Sequence, residues 1–200
     1  MTNEDFFSIV HIDDQYTDFL YKNGDNRVSF NNNKSYQRPY IGVIFSINLQ
    51  FYFAPMTTSN KGQKLLVNPK QEDETFLPIN NCKNGGINFN NMIPVIDGVV
   101  HRADLIPKLT DPKWLQLKKL SLMNAQRFIR RNTDKIIIKA MTLYDKKNLG
   151  KLNFGQNRIT CNFKRLEITA TYFEPFIDKK ISSTEIKNGI KNMRGFAEND

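Results

Sequence analysis

Three consecutive hydroxyls and an amine fall within one short stretch, Thr57-Thr58-Ser59-Asn60-Lys61, just after the apolar run from Phe51 to Met56. A second polar group, Tyr36-Gln37-Arg38, stands at the head of a companion apolar run, Tyr40 to Ile47. A hairpin joining the two runs brings both groups to one end. Together they can hold a phosphate and move protons around it. In metal-free cleavage of RNA the 2′-hydroxyl must lose a proton while it attacks phosphorus. The non-bridging oxygens then gain charge, and the departing 5′-oxygen needs a proton. Arginine suits the charge because its planar fork donates to two oxygens at once. A lysine among other cations can have a lowered pKa and serve as clamp, acid or base. Hydroxyls and loop amides hold phosphate oxygens. The candidate catalytic set is therefore Tyr36, Arg38, Thr57, Thr58, Ser59 and Lys61. Taken alone, Thr-Thr-Ser-Asn is equally an ordinary turn. Tyr36, Tyr40, Phe51 and Tyr52 surround the same region. Bases stack on such rings, but strand aromatics are usually core, so only Tyr36 is expected to face RNA.

Other chemistries lack their signatures. The chain has no P-loop, no glycine-rich dinucleotide fingerprint, no GxSxG elbow and no histidine-rich zinc pattern. No metal or cofactor is expected. Glu72-Asp73-Glu74 reads as a solvated loop, and His11 and His101 as structural or surface residues. Cys82 and Cys161 have no metal spacing and read as buried free thiols of a reducing cytoplasm. The acidic start, Met1-Thr2-Asn3-Glu4-Asp5, is unlike a secretory signal, and no apolar run is long enough to span a membrane.

The 200 residues are 40% hydrophobic, enough for a packed core. The net charge of +9 is unevenly spread. Residues 1–100 hold 8 Lys and Arg against 10 Asp and Glu, a balance of −2; residues 101–200 hold 21 against 10, a balance of +11. A basic half marks a polyanion partner, since clustered cations release the counterions condensed on nucleic acid.

The elements follow from local pattern. Phe6 to Ile12 reads as a first strand, and Asp14 as the cap of a short helix holding Tyr16, Phe19 and Leu20. Residues 22–35 read as a surface loop. The hairpin spans residues 40–47 and 51–54, and residues 57–75 are polar and irregular. Residues 76–79 and 92–96 are short strands, with prolines that favour edges or ends. Asp111-Pro112 opens a helix running to Asn132, and a second runs from Thr133 to a close at Lys146-Lys147 and Gly150. These two form either an α-hairpin or one kinked rod. A last helix begins after Asn162. The expectation is an α+β fold, one domain over residues 1–175 with a C-terminal α-helical half, and a basic tail over residues 176–200.

With those residues in view, the chain resembles the ToxN/AbiQ toxins of type III toxin–antitoxin systems. The resemblance lies in Tyr40-Ile41-Gly42-Val43, Phe53-Ala54-Pro55-Met56-Thr57-Thr58 and Met92-Ile93-Pro94-Val95. It continues in Gln126-Arg127-Phe128-Ile129, Asn132, Asp134-Lys135-Ile136, Lys139-Ala140, Cys161-Asn162-Phe163 and Leu166-Glu167, in the family's order over residues 6 to 170. It implies a compact antiparallel β core like that of the Kid/MazF toxins, with flanking helices. The activity implied is a metal-independent, sequence-preferring bacterial endoribonuclease used in phage defence, leaving 2′,3′-cyclic phosphate and 5′-hydroxyl ends. The inhibitor implied is a tandem-repeat RNA antitoxin that the toxin itself processes, its pseudoknots sitting between protomers of a closed assembly. By position, Thr57 matches the family's loop threonine, Tyr36 its tyrosine before the hairpin, and Arg38 a basic residue that is usually lysine. Either Thr58 stands for the family's serine or Ser59 does, since Lys61 falls one residue later than usual. If the position of Arg38 does acid–base work elsewhere, Lys61 or Lys34 must do it here. The expected RNA-binding residues are Tyr16, Lys34, Lys64, Gln126, Arg130, Asn132, Lys135 and Lys139. The alternative is a non-catalytic RNA-binding module with a basic face.

Overall fold

A computed structural model describes residues 6–29, 38–47, 49–57, 73–79 and 85–173. Its spine is the antiparallel hairpin of β2 (Pro39–Ile47) and β3 (Gln50–Thr57). Both strands are rich in aromatic and β-branched residues, and Tyr40, Ile41, Ile44, Tyr52, Phe53 and Ala54 are all buried. The register changes between Ile41 and Phe45, so β2 carries a bulge. On one side β2 pairs β1 (Ile9–Ile12), which pairs β7 (Val100–Arg102). The other edge of β3 is shared end to end. β6 (Ile93–Val95) takes Phe51 to Phe53, and β5 (Gly86–Asn88) takes Met56 and Thr57. β4 (Phe76–Pro78) closes the sheet beyond β5.

The helices pack apolar stripes on this sheet. α2 (Lys113–Arg131) buries Leu122, Ala125 and Ile129, an i, i+3, i+7 spacing. α3 (Thr133–Asn148) buries Ile136, Ala140, Leu143 and Tyr144 and lies on β2. Leu122, Ile129, Ile136 and Leu143 each contribute roughly 1.5–3 kcal/mol on burial. A single non-helical residue, Asn132, divides α2 from α3, which leaves no room for the loop an α-hairpin needs. α3 ends as expected: Gly150 takes φ +66°, and the amides of Lys151 and Gly150 donate back to the carbonyls of Lys146 and Lys147. α5 (Phe163–Ala170) also starts as expected, with the Asn162 side chain accepting from the Arg165 amide at 3.1 Å. The antiparallel core with flanking helices is the α+β architecture expected.

Several local expectations need correction. β1 starts only at Ile9, because Phe7 adopts φ 55° and breaks the extended run. α1 (Asp14–Phe19) is flanked by Asp13 as its first boundary residue, and Asp14 lies inside it. Of the surface loop expected over residues 22–35, residues 22–29 are described and form no such loop, while 30–35 lie outside the described residues. The chain continues from α1 into a π turn, Leu20–Gly24, with Leu20, Gly24, Asp25 and Val28 buried. Asp111 does not cap α2; its carboxylate accepts from the Lys108 amide and pairs with Lys119. β5, β7 and the short helix α4 (Phe154–Ile159) had no reading in the sequence. The tail after residue 173 and Cys82 lie outside the described residues.

Candidate functional site: the open end of the central hairpin

The β2–β3 pairing couples Tyr40 to Pro55 and Ile41 to Ala54. Carried two residues further, the same register sets Arg38 opposite Thr57. Directly opposed residues have Cβ atoms about 4.5–5.5 Å apart and share a sheet face. Arg38 is half-buried, with its Nε enclosed. By strand alternation Arg38 falls on the same face as Tyr40, two residues on. Tyr40 is itself buried and donates to the Ser29 carbonyl at 2.6 Å. Burial pushes its pKa well above the ordinary phenol value, the Arg38 charge working the other way, so it stays a neutral phenol.

Thr57 ends β3 beside Gly86. Glycine is required there, because a Cβ would lie 2.0 Å from the Phe76 ring. The Phe76 ring therefore covers the place where a side chain opposite Thr57 would stand. Against this apolar wall the Thr57 Oγ1 is buried and meets no hydrogen-bond partner among the described residues. A buried hydroxyl left unpaired costs about 1–3 kcal/mol. Such a group is rare in a native fold and calls for a specific cause, a functional role among them.

On the other face His11 lies opposite both Pro39 and His101. Its Nδ1 is 3.4 Å from the Arg38 carbonyl. Burial lowers its pKa, aided by the charges of Lys118 and His101 and opposed by the Arg38 carbonyl and Asp14. His101 is exposed and pairs with Asp13 at 2.7 Å. These are the structural and surface settings expected of the two histidines. Among the described residues no cluster of His, Cys, Asp and Glu could hold a metal ion, and no helix is long and apolar enough to cross a membrane.

The remaining expected site residues divide three ways. Tyr36, Thr58, Ser59, Lys61, Lys34 and Lys64 lie outside the described residues. Tyr16, Gln126 and Asn132 are hydrogen-bonded within the protein, Gln126 and Asn132 from half-buried positions. Tyr16 is fully buried, its ring edge-on to Phe173 and its hydroxyl donating to the Pro94 carbonyl at 2.7 Å. The Gln126 amide donates to the Phe7 carbonyl at 2.6 Å and accepts from the Ile9 amide at 2.8 Å, pinning α2 to the start of β1. Asn132 donates to the Phe128 carbonyl at 2.8 Å and closes α2. Arg130 and Lys135 are exposed, and half-buried Lys139 reaches the Asp73 carbonyl at 3.1 Å. The features missed by sequence reasoning are the Gly86–Phe76 wall and the contact of His11 with Arg38. Both depend on long-range strand pairing that no local pattern signals.

A model of the ToxN toxin family of type III toxin–antitoxin systems matches residues 8–171. The chain belongs to that family. Its relatives include the endoribonuclease ToxN of Bacillus thuringiensis subsp. kurstaki, 31% identical over 173 residues that cover 84% of each chain. Another is the endoribonuclease ToxN of Pectobacterium atrosepticum, 32% identical over 165 residues, 78% of this chain and 87% of the relative. Endoribonuclease is thus the enzyme class of this ToxN-family chain. Its fold matches a chain solved in work on a processed non-coding RNA that regulates a bacterial antiviral system. There the TM-score is 0.66 at 28% identity, over 83% of this chain and 98% of the other. It also matches, with TM-score 0.66 and 23% identity over 82% and 95%, the lactococcal anti-phage endoribonuclease AbiQ, which supports the fold. A third match, TM-score 0.63 and 26% identity over 82% and 95%, comes from a study of selective toxin inhibition by a non-coding RNA pseudoknot.

Proposed function

We propose that the protein is a metal-independent endoribonuclease toxin, held in check by a repeat RNA, whose scissile phosphate sits at the open end of the β2–β3 hairpin. The observation that carries this reading is the buried Thr57 hydroxyl, which meets no partner among the described residues and which the β2–β3 register, carried two residues past its last pair, sets opposite Arg38. A non-bridging phosphate oxygen would supply the missing partner. Arg38 would neutralise the charge that grows on the phosphate as the 2′-hydroxyl attacks. A guanidinium keeps its proton near neutral pH and is a poor proton shuttle. Proton transfer therefore falls to Lys61 or Lys34, and Thr58 or Ser59 adds a second hydroxyl. Tyr36 positions or stacks the nucleotide. Arginine, hydroxyl and amine donors suit direct binding of phosphate, and with them the 2′-oxygen closes on phosphorus as the 5′-oxygen leaves.

The antitoxin reading rests on family membership and charge. Exposed cations recur on α2 and α3, among them Arg127, Arg130, Arg131 and Lys135. In this reading a folded repeat RNA covers that surface and bridges protomers in a closed assembly, in the cytoplasm. Both the enzyme and its RNA-binding alternative are tested by one experiment. Purified protein is incubated with cellular RNA in excess EDTA, and new termini are mapped. The proposal expects 5′-hydroxyl and 2′,3′-cyclic phosphate ends at recurrent short sequences. Retarded RNA with no new ends would instead make the protein a binder, and loss of cutting in EDTA would overturn metal independence.

A further inference from the structure

We propose that His11 is a positioning residue for the cleavage step: its ring holds the Arg38 carbonyl and thereby fixes where the Arg38 side chain leaves the sheet. The inference rests on the reading of Arg38 as phosphate clamp. Proline at 39 has no N–H, so the Arg38–Pro39 peptide unit has only its carbonyl with which to be tied down. That carbonyl lies 3.4 Å from His11 Nδ1. The residue before a proline is confined to extended backbone, so a held carbonyl leaves Arg38 little freedom above its own χ angles. β1 is itself well anchored. The His11 position pairs Pro39 on one side and His101 on the other, and Gln126 grips the start of the strand through Ile9 and Phe7.

A carbonyl can only accept, so the hydrogen must sit on Nδ1 of His11. Burial, with Lys118 and His101, outweighs the Arg38 carbonyl and Asp14 and lowers the ring's pKa, which favours its neutral form. His11 touches the backbone of Arg38 and lies on the face away from Thr57, so its part is to hold Arg38 rather than to meet RNA.

The test is a double-mutant cycle on a labelled oligonucleotide carrying a site mapped in cellular RNA. His11→Leu keeps bulk without the donor, His11→Asn keeps a donor near Nδ1, and Arg38→Ala removes the clamp. Melting temperature is followed for each. His11→Leu is expected to lower kcat about tenfold, the scale of a misplaced catalytic group. His11→Asn should recover most of that loss. On the Arg38→Ala background, His11→Leu should add nothing further. The inference is overturned if His11→Leu cuts at the wild-type rate, if His11→Asn loses as much as His11→Leu, or if the double variant falls another tenfold below Arg38→Ala. Wild-type cutting by Arg38→Ala would overturn the clamp reading itself, and this inference with it, a result the other three cannot mimic.

Discussion

Two polar corners of this protein are built on opposite terms. At the corner around Asp25, on the loop after α1, every carboxylate oxygen is used. The Arg27 side chain donates to both oxygens at 2.8 and 2.6 Å, and the amides of Arg27 and Asn162 donate at 2.9 and 2.7 Å. Arg27 in turn donates to the carbonyls of Asn157 and Arg158, and the Asn91 amide donates to the Arg27 carbonyl. At the hairpin end the Thr57 hydroxyl is buried and meets no partner among the described residues. A fully satisfied buried network specifies structure, and a half-satisfied one costs stability unless something else completes it. On the proposed reading the first corner serves folding and the second a ligand.

Removing the carboxylate at the first corner should do the most damage to the fold. Asp25→Ala leaves Arg27 and the Asn162 amide unpaired where the carboxylate was almost enclosed, and should cost about 3–5 kcal/mol in urea unfolding. Cleavage per folded molecule should be unchanged. A smaller, pH-dependent effect sharpens the same contrast. Burial alone would raise the Asp25 pKa, but Arg27 and the two amides outweigh it and hold the group below the usual carboxylate range. The stability it contributes is thus complete above the unfolded value of about 3.9 and is lost as pH falls through the lower folded value. The urea midpoint of the wild type should drop more steeply below about pH 4 than that of Asp25→Asn. Least of all, Asn162→Ala removes the cap of α5 and should cost about 1 kcal/mol, read as a shift of a few degrees in melting temperature.

The two corners were unequally legible in the sequence, for physical reasons. The hairpin and the ends of α3 and α5 could be read because their signals are local: β-branched and aromatic runs, a glycine after two lysines, and an asparagine before an apolar helix. Arg38 and Thr57 could be brought to one end because a hairpin pairs residues across a short turn. The Asp25 corner could not be read, since its polar residues look like loop until Asn162, far along the chain, arrives to bond them. The internal partners of Tyr16 and Gln126 could not be read for the same reason. A tyrosine or glutamine looks available until its partner, Pro94 or Phe7, is known. The three-residue strands β5 and β7 carry too little pattern to be seen. Yet β5 supplies Gly86, which shapes the surroundings of Thr57.

On the proposed reading the Thr57 hydroxyl serves a phosphate and not the fold. Thr57→Val, which keeps the shape and deletes the hydroxyl, decides it when cleavage and melting temperature are measured on the same purified sample. The account predicts cleavage reduced at least about a hundredfold, with melting temperature equal to or above that of the wild type. Wild-type cleavage by Thr57→Val, or loss of cleavage accompanied by a lower melting temperature, would contradict it.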